Sequence, residues 1–106
     1  MIKSKKIEID SLGNFYFINI TADVKEFVNS TGIQNGSILI FYTHTTGALT
    51  IFEQEAGVMV DIEDAFNRLF PENMKYKHHM RSVDFNGTSH VRSIFLDSSI
   101  TIPVIE

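Results

Sequence analysis

The stretch from Phe41 to Glu53, FYTHTTGALTIFE, constrains the fold of this chain more than any other. Two apolar runs flank a short polar break containing Gly47, the pattern of two strands joined near Thr43 to Gly47, with His44, Thr45 and Thr46 held at a sheet edge. Strands on both sides of one corner expose apolar faces that other elements must cover. The remaining sequence supplies candidates for that cover.

Upstream, Ile2 to Ile9 alternates loosely and reads as a partly exposed edge strand, Ser11 to Asn14 as a turn, and Phe15 to Ile20 as a second strand, together an antiparallel hairpin. Thr21 suits a helix N-cap and Asp23 its first turn. Val24, Phe27 and Val28 form an i, i+3, i+4 stripe, and Gly32 suits the C-terminal cap. After the turn at Gln34-Asn35-Gly36, Ser37 to Tyr42 is apolar enough for a strand buried on both faces, with Ala48 to Phe52 as its neighbour.

Downstream, Val58, Ile62, Ala65, Phe66 and Leu69 recur at helical spacing, Asp61, Glu63, Asp64 and Asn67 fall on the other faces, and Pro71 stops the helix. The segment from Pro71 to Gly87 has no sustained period and reads as a long loop, of a length usually reserved for function. Thr88 or Ser89 could cap a short helix with Val91, Ile94 and Phe95 inward. Ile100 to Ile105 reads as a final strand in which Pro103 implies an edge or an irregularity. The expected order is ββαββααβ, an α+β fold in one domain over residues 1–106.

Composition narrows the function classes. A chain of 106 residues with 43% hydrophobic content can bury roughly two thirds of its unfolded surface. The net charge of −4 argues against a surface that grips nucleic acid through phosphate contacts. Without cysteine there is no disulfide framework, thiolate metal site or cysteine nucleophile. No secretory segment and no apolar run near the ~18 residues of a membrane span is present, so a cytoplasmic protein with no membrane contact is expected.

The polar chemistry lies in the second two thirds of the chain. His44, His78, His79 and His90 share that region with Glu53, Asp61, Asp64 and Asp84, a set that permits a His/carboxylate site for a divalent ion. Their spacing has no local signature, and in an extended segment His78 and His79 face opposite ways. Each also has a plain structural reading: a strand-end His bonding backbone, Thr45 and Thr46 as β-formers in a turn, Asp61 and Asp64 as a solvated helix face, and Lys75, Lys77, Arg81 and Arg92 as surface charge. Taken together, hydroxyls, imidazoles and cations around one loop suit an anion or phosphate.

In order, THTTGALTIFEQE, VDIEDAFNRLFPE, YKHH, NGTSHVRS and SSITIPVIE resemble the YjbQ-like family, also called secondary thiamine-phosphate synthase, over roughly Ser37 to Glu106. The resemblance implies a two-sheet β-sandwich with flanking helices, a homotrimer, and a pocket rich in His and acidic residues near a subunit interface. It places metal ligands at His44, His78 and His90, catalytic groups at Glu53, Asp61 and Asn86, and anion or cofactor contacts at Thr45 and Thr46, with His79 outside the set. The implied activity is thiamine-phosphate synthase-like transfer on phosphorylated small molecules, with a divalent metal, Mg2+ or Zn2+. Family members usually continue past the I-P-V strand through GTWQ and DGPR segments, and this chain has no Trp and ends at Glu106. Two readings follow from that difference: an enzyme of this type, or a non-catalytic oligomeric binding or structural protein with a vestigial site.

Overall fold

A computed structural model describes residues 2–10, 15–81 and 86–106. In chain order its elements are α1 (Thr21–Thr31), β1 (Gly36–Phe41), α2 (Ala56–Leu69), α3 (Lys77–Arg81), α4 (Gly87–Ser93) and β2 (Ser99–Val104). The fold is thus mixed helix and strand, as expected, but the order of its regular elements is αβαααβ. No helix among the described residues is long and apolar enough to cross a membrane.

The first helix follows its sequence signals closely. Asp23 lies in the first turn, and Gly32 closes the helix in the left-handed region at φ 74°, with its N–H donating to the Asn29 carbonyl at 3.3 Å. The start differs by one residue: Ile20 is the cap position, and the Asn19 side chain accepts from the Thr21 N–H at 2.9 Å. Val24, Phe27 and Val28 are half-buried on the inner stripe.

The second helix has a cap that sequence reading did not identify. Glu55 is the extended residue before the first turn, and its carboxylate accepts from the N–H groups of Gly57 at 2.8 Å and Val58 at 2.9 Å. Two of the helix's orphan donors are thereby satisfied. These two backbone N–H groups hold the Glu55 carboxyl below the usual glutamate range. Val58, Met59, Ile62, Ala65 and Phe66 form the half-buried stripe, while Leu69, expected inward, is exposed at the helix end.

β1 and β2 form a two-stranded sheet. Tyr42 N–H donates to the Ser98 carbonyl at 2.8 Å, so the end of β1 meets the start of β2 and the strands run antiparallel. Side chains alternate across it: Ile38 and Ile40 are half-buried, whereas Leu39 and Phe41 are 67% and 62% exposed. The expectation of a strand buried on both faces is therefore corrected; one face of β1 is covered. On that face Ile38, Ile102 and Val104 line an apolar cleft of about 440 Å³ with Val24 and Val28 of α1.

Three other expectations differ. Residues 2–9 and 15–20 are described without strand pairing, and the turn expected at Ser11 to Asn14 lies outside the described residues. Of the expected strand Ala48 to Phe52, only Leu49 pairs, through an isolated antiparallel bridge to Asp97. An alternating or aromatic sequence favours extended backbone, but a ladder needs a partner strand in register, and these segments have none among the described residues. Two compact units make up the chain, one of Met1–Leu39 with Thr101–Glu106 and one of Ile40–Ile100.

Two outcomes test the local chemistry. Gly32→Ala meets no atom within 4 Å, so its cost is purely the left-handed backbone; we expect a loss of about 1–2 kcal/mol, seen as a melting temperature lower by several degrees. Glu55→Ala removes a cap whose folded pKa is depressed, so the stabilisation exists above the ordinary glutamate range and fades as pH falls through the lowered value. The gap in melting temperature between wild type and Glu55→Ala should therefore shrink between about pH 7 and about pH 3. A gap independent of pH would contradict the cap.

Candidate functional site

The segment expected as a long loop contains a short helix, α3, and that changes what its histidines can do. Consecutive residues of a helix point about 100° apart, compared with opposite faces in an extended chain. His78 and His79 therefore address two different groups at the start of α4. His78 Nε2 lies 2.8 Å from Asn86 Oδ1, and His79 Nε2 accepts from the Gly87 N–H at 3.1 Å. The His90 ring joins them from α4, with its centroid 4.9 Å from that of His78 and an interplanar angle of 60°.

Gly87 permits the approach. A β-carbon there would sit 3.0 Å from both His79 Nε2 and Tyr76 Cβ, closer than ordinary carbon contacts. Tyr76 is 5% exposed, sets its ring 5.4 Å from that of His79 at an interplanar angle of 59°, and donates its hydroxyl proton to the Pro71 carbonyl at 2.7 Å. Thr88 is 1% exposed, and its hydroxyl is buried without a hydrogen-bond partner among the described residues. Such an oxygen costs about 1–3 kcal/mol.

Arg92 holds α4 to the end of α2. Although a cation in this position reads as surface charge, the side chain is buried at 6% exposure. Its Nε and Nη2 donate to the Phe70 carbonyl at 3.1 and 2.7 Å, and Nη2 also donates to Asn67 Oδ1 at 3.1 Å. The carbonyl at a helix C-terminus carries partial negative charge, which suits a guanidinium. Glu72 Oε1 stands 3.7 Å from Nη1 with 43% side-chain exposure, and adds little in that setting. The Phe70 ring packs between Phe66 and Phe95, at 5.8 and 4.8 Å between centroids. Ile94 and Phe95 are nonetheless largely exposed, which corrects their expected inward placement. The helix starts at least two residues earlier than expected: Asn86 is its cap residue, and Thr88 and Ser89 lie inside it.

The opening corner reaches this cluster through backbone. Ser93 Oγ lies 2.7 Å from the Thr45 carbonyl and 2.9 Å from the His90 carbonyl, tying the THTTG turn to α4. His44 is exposed and meets the Tyr42 ring edge-on at 5.8 Å; Thr45 and Thr46 are exposed beside it. Glu53 and Asp61 are also exposed, the latter on α2. Among the described residues, no group of three or more His, Asp or Glu side chains comes together that could hold a metal ion. The structure thus assembles His78, Asn86 and His90, while His44, Glu53 and Asp61 are not joined to them by any side-chain hydrogen bond described. Asp84 lies outside the described residues.

Sequence reading missed His79 and Arg92. For His79 the missed signal was helical spacing inside a five-residue segment, KHHMR, too short to show a period. For Arg92 no local signal exists, because its acceptors are 22 and 25 residues away.

Residues 5–106 match a family described as UPF0047 protein YjbQ-like, a longer match than the resemblance from Ser37 onward. A UPF0047 protein of Methanothermobacter thermautotrophicus is 38% identical over 88 residues, covering 83% of this chain and 60% of its own length. A YbjQ-like protein of unknown function from Sulfolobus solfataricus has a similar structure, with TM-score 0.84 and 32% identity over 92% of this chain and 70% of that one. An uncharacterized conserved protein of the yjbq/upf0047 family from Clostridium acetobutylicum superposes with TM-score 0.81 and 30% identity over 92% of this chain and 73% of that one. The chain therefore spans 60% of the length of the archaeal sequence relative and 70–73% of the two solved structures.

Arg92 provides the test of the scaffold. Arg92→Met keeps the aliphatic stem but strips the donors from two acceptors, and should lower unfolding stability by about 2–4 kcal/mol in urea titrations. Arg92→Lys should recover less than half of that loss, because one ammonium cannot span both acceptors as the fork does. Full recovery by lysine would contradict the bonding described.

Proposed function

The chain belongs to the YjbQ-like UPF0047 family, and on that premise we propose that the cluster of His78, Asn86 and His90 is the working centre of an enzyme acting on phosphorylated small molecules. The observation that carries this reading is the convergence of two imidazoles and one amide, from α3 and α4, at 2.8 Å and 4.9 Å spacing. Structural histidines more commonly bond nearby backbone. Here the His78 ring is spent on another side chain and stands against a second ring.

Exposed Lys77 and Arg81 flank His78 on α3, and Lys75 precedes them, cations that suit a phosphate group. The hydroxyls of Thr45 and Thr46 are further donors to an anionic substrate. Glu53 and Asp61 are the carboxylates of this reading. The reaction class it names is the thiamine-phosphate synthase-like transfer implied by the resemblance, in which a pyrimidine methyl diphosphate is joined to a thiazole phosphate. A homotrimer, a cytoplasmic location and a two-sheet sandwich, with strands beyond β1 and β2, belong to the same reading.

A divalent ion held by His44, His78 and His90 is a poorer fit to the residues. A catalytic zinc centre takes three protein ligands; the described residues bring no such trio together, and one nitrogen of His78 lies within hydrogen-bond distance of Asn86. Mg2+ carried on a diphosphate needs only one or two protein carboxylates. No step is routed through either ion.

The experiment is an assay of thiamine-phosphate formation from the two phosphorylated precursors with Mg2+, comparing wild type with His78→Ala and His90→Ala. Loss of general acid–base function should lower kcat/KM roughly 100-fold or more. Equal activity in wild type and both variants would remove the centre. No activity in wild type, with light scattering showing a stable oligomer, would favour the non-catalytic binding or structural protein.

A further inference from the structure

We propose that Asn86 is a positioning residue: it holds the His78 ring as its Nε2–H tautomer and so leaves the lone pair on Nδ1, the ring's remaining acceptor. The inference rests on the reading of this cluster as the working centre, and concerns the state of one ring within it.

The argument begins with what Asn86 does not do. It occupies the cap position of α4, where an asparagine side chain ordinarily accepts from the backbone N–H groups of the first turn. No such cap bond is made. Instead Oδ1 lies 2.8 Å from His78 Nε2. A carbonyl oxygen only accepts, so Nε2 carries the proton, and in a neutral imidazole the lone pair then lies on Nδ1.

The neighbouring histidine takes over part of the capping role. His79 Nε2 accepts the Gly87 N–H, which requires the opposite tautomer, with the proton on Nδ1. Two adjacent rings on one short helix are thus fixed in opposite senses by two adjacent residues of the next helix. Such an exchange gains nothing for α4 that Asn86 could not provide by itself, but it does orient His78. The ring of His90 at 4.9 Å narrows the rotations left to His78. An amide orients the imidazole without placing a negative charge beside it.

The test is a nitrogen spectrum of the uniformly 15N-labelled full chain, with long-range ring correlations assigned to His78. Wild type should show a protonated, pyrrole-type Nε2 and a pyridine-type Nδ1, with the Nε2–H proton resolved at low temperature. Asn86→Ala should lose that proton resonance to exchange, and Asn86→Asp, which still offers an acceptor, should restore it. A pyrrole-type Nδ1 in wild type, or an Nε2–H resonance unchanged in Asn86→Ala, overturns the proposal. If Asn86→Ala does not fold, the wild-type spectrum decides alone. Because no substrate is present, this measurement can fail while the enzyme assay succeeds, and the reverse.

Discussion

The guanidinium of Arg92 is the interaction on which the second unit depends. Burying a cation is costly unless its donors are matched, and here they are matched by acceptors at the end of α2: the Phe70 carbonyl twice and Asn67 Oδ1 once. A planar fork with fixed donor directions fixes where α4 can lie relative to the last turn of α2. His90 is two residues before Arg92 on the same helix and Asn86 is its cap residue, so the anchor also positions the polar cluster. The Phe70 ring is in aromatic contact with Phe66 and Phe95.

The contact between α3 and α4 has a different character. It is built from small groups that must approach closely: an amide, a glycine N–H and two imidazoles. Gly87 eases it, because a β-carbon there would press on His79 and Tyr76 at 3.0 Å. Tyr76 closes the preceding turn from below through its bond to Pro71. Among the described residues, the exposed corner of His44, Thr45 and Thr46 is attached to α4 by the hydrogen bond from Ser93 Oγ to the Thr45 carbonyl.

Much of the helical structure could be read from the sequence because its determinants are local. Gly32 ends α1 where a left-handed residue is needed, and the apolar spacing from Val58 to Phe66 with Pro71 beyond it defines α2. Strands were harder. Ser37 to Tyr42 and Ile100 to Ile105 correspond to β1 and β2, but Ile2 to Ile9 and Phe15 to Ile20 have strand composition without strand pairing among the described residues. Composition records a preference for extended backbone, whereas a ladder depends on a partner that local sequence does not specify. The site divides in the same way. Residue types and family motifs singled out His78, Asn86 and His90; nothing local indicated that His79 would take the Gly87 N–H.

By itself, the sequence determined the family, the mixed helix and strand character, the main helices and the polar residues available for chemistry, because each follows from short-range pattern or from ordered motifs. Tertiary structure decided how those residues are used. It turned a presumed surface arginine into a buried anchor, made a helix of KHHMR, and set His78 against Asn86 and His90 while leaving His44 at the exposed corner. The physical reason is range: hydrogen-bond partners 8 to 25 residues apart are chosen by packing, and packing is a property of the folded chain. The THTTG corner that constrains the fold most is therefore attached to the polar cluster by one hydroxyl, and contributes no side-chain hydrogen bond to it among the described residues.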